Sequence, residues 1–128
     1  MREYEQCELS GDSPYVELAV EVFSMLADPT RVRIILALRD AELAVGQLAE
    51  RVDRSPAAVS QHLAKLRLAR MVVTRQDGKR VFYRLADGHA RRLVAEAIFQ
   101  AEHALEAEPR HHRQGHPAAA TMPESARA

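Results

Sequence analysis

Apolar residues recur at helical spacing along most of the chain. Val16, Ala19, Val20, Phe23 and Leu26 fall at i, i+3, i+4, i+7 and i+10, which predicts an amphipathic helix over about residues 14 to 27. Asp28-Pro29 closes it and opens a second helix, because aspartate caps a helix start and proline has no N–H to waste at the first helical position. That helix is expected to turn Val32, Ile35, Leu36 and Leu38 inward. A short third helix fits Val45 to Arg51, with Leu48, Ala49 and Val52 on its buried side. Ser55-Pro56 repeats the cap-plus-proline signal and starts a fourth helix to about Leu68, with Val59, Leu63 and Leu66 toward the core. Two short helices joined by a tight link predict a helix-turn-helix.

After Leu68 the period changes. Met71 to Arg75 and Arg80 to Leu85 are rich in Val, Phe and Tyr, and Asp77-Gly78 between them is a hairpin signal, so a two-stranded wing is expected. From Asp87 to about Glu106 the helical period returns, with Leu93, Val94, Ala97, Ile98, Ala101 and Leu105 on one side. Pro109 ends that helix. The fold class predicted is mainly α with a small β-hairpin, a winged helix-turn-helix. Its expected divisions are a flexible segment 1–13, a DNA-binding and dimerisation domain 14–107, and a mobile, histidine-containing tail 108–128.

Composition adds limits. A chain of 128 residues is about one domain, and with three Tyr, three Phe and no Trp its core must be aliphatic. No apolar run approaches the ~20 residues that cross a bilayer, so no membrane partner is expected. The single cysteine, Cys7, cannot form an internal disulfide, which fits a reducing, cytoplasmic setting. The formal net charge of zero conceals sorted signs: residues 1–29 hold one basic residue against seven acids, whereas residues 51–84 hold nine basic residues against Asp53 and Asp77. Such clustering is the footprint of a polyanion partner.

With Val59, Leu63 and Leu66 buried, the opposite side of the fourth helix carries Ala57, Gln61, Ala64 and Lys65, with Ser60 at its flank. Small and polar side chains let a helix approach the floor of the major groove of double-stranded DNA, where Gln61 can pair with a base edge and Ser60 or Lys65 can take a phosphate or base. Arg67, and Lys79 and Arg80 at the wing tip, are expected on phosphates, adding affinity and register rather than sequence. His62, on the helix flank, reads as structural or DNA-facing. The rival reading is a winged helix used for protein contact, with solvated basic residues. A hydrolytic metalloenzyme is not supported, since no HExxH motif or nucleophile with a base is present.

The runs Leu26-Ala27-Asp28-Pro29-Thr30-Arg31, Leu48-Ala49-Glu50, Ser60-Gln61-His62-Leu63-Ala64-Lys65-Leu66 and Asp77-Gly78-Lys79-Arg80-Val81-Phe82-Tyr83-Arg84-Leu85 resemble the ArsR/SmtB family of metal-sensing winged-helix repressors. The likeness covers about residues 15 to 107. It implies a homodimer paired through its first and last helices, which binds an operator without metal and leaves it when metal binds. The final helix and the Arg110-His111-His112-Arg113 tail are most similar to the nickel- and cobalt-sensing members.

Family members hold metal at different elements. A thiolate site in the third-helix segment is ruled out, because Ala44 and Gly46 stand where its cysteines would be, and Cys7 alone cannot supply several sulfurs. The remaining candidates are Asp87 and His89 at the start of the last helix and Glu102 and His103 near its end. His89 and His103 of one chain lie about 21 Å apart along a helix, too far to share an ion with ~2 Å bonds. If two such helices pack antiparallel about an axis near Glu96, each end meets the partner's other end and two symmetric sites result. The family pattern of Asp-x-His followed by two later ligands is matched by Asp87-Gly88-His89 and His103, but Gln100 replaces the other histidine. His111 and His112 could complete a set of five or six imidazole and oxygen ligands, which suits Ni(II) or Co(II); Zn(II), which prefers four, is a further candidate.

Overall fold

A computed structural model of the chain describes residues 9–106. Its elements are α1 (Val16–Leu26), α2 (Pro29–Ala37), β1 (Leu43–Ala44), α3 (Val45–Val52), α4 (Pro56–Leu68), β2 (Val72–Asp77), β3 (Arg80–Leu85) and α5 (His89–Glu106). Both cap-plus-proline signals form as the sequence predicts. The Asp28 carboxylate accepts from the Arg31 N–H at 2.9 Å and the Ser55 hydroxyl from the Ala58 N–H at 3.1 Å, each satisfying one orphan donor of a first helical turn. The chain forms two compact units divided between Arg91 and Arg92.

In the first unit α3 packs on α2 and α4, and β2 packs on α4. Its core is aliphatic: Ile34, Ile35, Leu48, Val59, Leu63, Leu66 and Val72 are all but sealed from solvent. The inward face of α2 differs from the sequence reading. Ile34, Ile35 and Leu38 are buried while Val32 and Leu36 are half-buried, because nearly every position from 32 to 38 is apolar and periodicity alone cannot select the stripe. α1 buries no residue, and Leu18, Val20 and Phe23 on it are more than half exposed. In the second unit Val94 is buried, whereas Leu93, Phe99 and Leu105 on the same helix are exposed.

The wing is a three-stranded antiparallel sheet in the order β1-β3-β2, not the two-stranded ribbon expected. Leu43 pairs with Tyr83 and Ala44 with Phe82, so the segment before α3 pairs with β3 on the side away from β2. Two residues are too few to show an alternation, which is why the sequence hides this strand. Asp77 and Arg80 close the hairpin across a loop of Gly78 and Lys79. Gly78, at φ +67°, is the first loop residue, as a type II′ hairpin turn requires. Asp87 stands just before α5 rather than within it, and its Oδ1 accepts from the His89 N–H at 2.9 Å.

Candidate nucleic-acid interface and metal-ligand residues

The recognition helix is α4. Burial of Val59, Leu63 and Leu66 fixes its rotation and leaves Ala57, Ser60, Gln61, Ala64, Lys65 and Arg67 exposed, which brings the DNA-contact candidates of this helix onto its outer surface. His62 turns the other way. Its Nδ1 lies 3.4 Å from Arg31 Nη1 and 3.9 Å from Asp28 Oδ2, and the Arg31 Nε donates to the Met25 carbonyl at 2.8 Å. This cluster ties the end of α1 and the start of α2 to the flank of α4, a positioning role, so of the two readings for His62 the geometry takes the structural one. The Asp28 carboxyl is held below its ordinary range chiefly by the hydrogen bond from the Arg31 N–H.

Lys79 and Arg80 are exposed at the hairpin tip. The guanidinium groups of Arg80 and Arg75 each lie 4.9 Å from the centroid of the Phe82 ring, so one aromatic side chain braces two cations. Arg75 is also committed to Glu42: its Nη2 lies 2.8 Å from Glu42 Oε1, and Arg84 Nε is 3.8 Å from Glu42 Oε2. The Arg75 hydrogen bond holds the Glu42 carboxyl below its usual range. The basic segment therefore offers fewer cations to a polyanion than its composition suggests.

Three residues escaped the sequence reading as site candidates. Glu42 did because its partners are far along the chain. Arg70 adopts a left-handed conformation, φ +65°, at the end of α4, where an L side chain carries strain of roughly 1 kcal/mol or more. Tyr83 lines a groove with Arg70 and with Ser60, Ala64, Arg67 and Leu68 of α4. A basic residue at a helix end just before a β run is the only local signal for Arg70.

The metal-ligand candidates fall on both units. Asp87 and His89 stand at the start of α5 in the first, and Glu102 and His103 lie near its end in the second; all four are exposed. The bond that Asp87 accepts from the His89 backbone occupies one oxygen of a carboxylate that has lone pairs to spare. Among the described residues no three His, Cys, Asp or Glu side chains of one chain gather to hold an ion. Carboxylate and imidazole are suitable donors for a borderline divalent cation. His111, His112, His116 and Cys7 lie outside the described residues.

If Gln61 reads a base edge, Gln61→Ala will weaken specific operator binding by about 1 to 3 kcal/mol and leave metal affinity unchanged. Anisotropy titrations with operator and scrambled duplexes check this; equal loss on both would remove Gln61 from the reading face.

Known proteins share this architecture. The family described as bacterial regulatory protein, arsR family, matches over residues 28–74. The HTH-type transcriptional regulator KmtR of Mycobacterium tuberculosis is 57% identical over 108 residues, covering 81% of this chain and 83% of the relative. The transcriptional repressor SmtB homolog of Synechocystis is 46% identical over 76 residues, covering 59% of this chain and 58% of that protein. Among solved structures, Rv0081 of M. tuberculosis has a TM-score of 0.67 at 32% identity and covers 75% of this chain and 97% of its own. The homodimeric winged helix-turn-helix DNA-binding domain (fragment 1–100) of a Mycobacterium bovis protein has a TM-score of 0.64 at 27% identity, over 78% of this chain and 96% of that one. The chain is thus a winged-helix transcriptional regulator rather than an enzyme, and it belongs to the arsR family of bacterial regulatory proteins.

Proposed function

We propose that the chain is a metal-responsive transcriptional repressor that binds operator DNA as a metal-free homodimer and leaves it on binding Ni(II) or Co(II), with Zn(II) as a further candidate. The observation that carries this reading is the placement of ligand-type residues at opposite ends of one helix, Asp87 and His89 at the start of α5 and Glu102 and His103 near its end. Two copies packed antiparallel through α5 would bring each start to the partner's end. His111 and His112 would raise the ligand number toward the five or six that Ni(II) and Co(II) favour.

Dimerisation through α1 and α5 is supported by the apolar surface they leave exposed. Covering the remaining exposed half of side chains such as Leu18, Val20 and Phe23 of α1 stabilises by about 1 to 1.5 kcal/mol for each. The recognition helices would then be spaced by the dimer, matching successive major grooves of an inverted-repeat operator. A bound ion would supply a tie between one helix end and the other chain, and a changed spacing of the two α4 helices would lower DNA affinity. Coupling of this kind amounts to about 1 to 3 kcal/mol in most systems. No helix among the described residues is long and apolar enough to cross a membrane, and a cytoplasmic regulator fits that.

The test is to titrate a preformed operator complex with Ni(II), Co(II) and Zn(II) separately while following anisotropy. Release by Ni(II) or Co(II) at lower free metal than by Zn(II) is expected. A complex that persists at saturation with all three metals would show a DNA-binding module that senses none of them.

A further inference from the structure

Next to the reading face of α4 lies a groove of about 490 Å³, lined by Ser60, Ala64, Arg67, Leu68, Arg70 and Tyr83. Its lining holds two guanidinium groups and no acid. Among the described residues neither Arg67 nor Arg70 pairs with a carboxylate, in contrast to Arg75 and Arg84, which share Glu42. The backbone at Arg70 is the second observation. The Arg70 N–H donates to the Arg67 carbonyl and the Met71 N–H to the Leu66 carbonyl, both at 2.9 Å, and Arg70 sits at φ +65°. This is the helix-ending arrangement whose left-handed position glycine fills by default. Here that position carries a cation at the edge of a groove that already contains another.

We propose that this groove seats a backbone phosphate of the operator, with Arg70 as a DNA-contact residue alongside Arg67. The groove is continuous with the recognition surface, since Ser60 and Ala64 belong to both. A duplex lying against Gln61 therefore passes its sugar-phosphate backbone along the groove mouth. Charge selects the occupant: two unpaired guanidiniums suit a phosphate diester through bidentate hydrogen bonds, and the Ser60 hydroxyl adds a neutral donor of the kind that fixes register. The left-handed turn leaves Arg70 among the residues that line the groove, at the expense of helix-end stability. The inference rests on the DNA-binding reading.

Arg70→Gly separates the two roles, because glycine relieves the backbone while removing the charge. The variant is expected to melt at a higher temperature than the wild type, yet to bind the operator about three- to tenfold more weakly at moderate salt. The slope of log K against log salt should become shallower by about two per dimer, one phosphate contact for each protomer. Arg70→Lys should restore most of the slope. An Arg70→Gly dimer with wild-type affinity and wild-type slope would make Arg70 a structural residue only and overturn the proposal, while a wild type with no operator affinity would defeat the DNA-binding reading itself. Melting in inorganic phosphate at constant ionic strength distinguishes a free anion from the DNA backbone. No phosphate-specific stabilisation is expected, and one that disappears in Arg70→Gly would assign the groove to a small anion instead.

Discussion

Operator affinity is expected to fall on the order of a hundred-thousand-fold between 50 and 200 mM monovalent salt, although the chain carries no formal net charge. The estimate follows from geometry. Lys65, Arg67, Lys79 and Arg80 are exposed on the recognition helix and wing tip, and Arg70 just beyond the helix, giving five phosphate contacts for each protomer. About ten contacts per dimer give a slope of log K against log salt near −9, since each contact releases about 0.9 of a counterion from B-DNA. Counting all nine basic residues of the 51–84 segment would predict a slope nearly twice as steep. Glu42 argues against that count, because it engages Arg75 at 2.8 Å and Arg84 at 3.8 Å. Fluorescence anisotropy across a salt series measures the slope; a value near zero would contradict the use of α4 and the wing on DNA.

Val59, Leu63 and Leu66 announce the buried face of α4 by spacing alone, so the opposite face, with Gln61 and Lys65, is legible in the sequence. Asp28-Pro29 and Ser55-Pro56 likewise marked two helix starts, because capping is a local transaction between a side chain and an N–H three residues on. β1 was hidden because its partners, Tyr83 and Phe82, are some forty residues away and two residues cannot display a period. Glu42 was missed for a similar reason, its ion pairs lying across the sheet. Ile34 was passed over in favour of Val32, a choice that only the packing of α3 and α4 on α2 decides. Arg70 is a different case: a left-handed arginine runs against local preference, and such exceptions concentrate where a side chain has work beyond folding. The candidate metal ligands were legible as two pairs on one helix, but their pairing is a property of two chains.

That pairing supports the second large effect. His89→Ala and His103→Ala homodimers are each expected to bind operator without metal and to stay bound when Ni(II) or Co(II) is added. If one ion takes its ligands from the start of one α5 and the end of its partner, each single mutant spoils both sites at once. Within one chain the two histidines are separated by about 21 Å of continuous helix, against metal–ligand bonds of ~2 Å. Loss of one imidazole from the shared ligand set removes tight binding, and with it the differential affinity that drives release.

The most direct measurement is made on a mixed dimer carrying His89→Ala in one protomer and His103→Ala in the other, purified through two different tags. Equilibrium dialysis with Ni(II) counts its tight sites. One of its two sites then has both histidines and the other has neither, so about half the wild-type number of tight sites is expected, where either mutant homodimer shows none. A mixed dimer as empty as the two homodimers would contradict a shared site and place the ligands within a single chain.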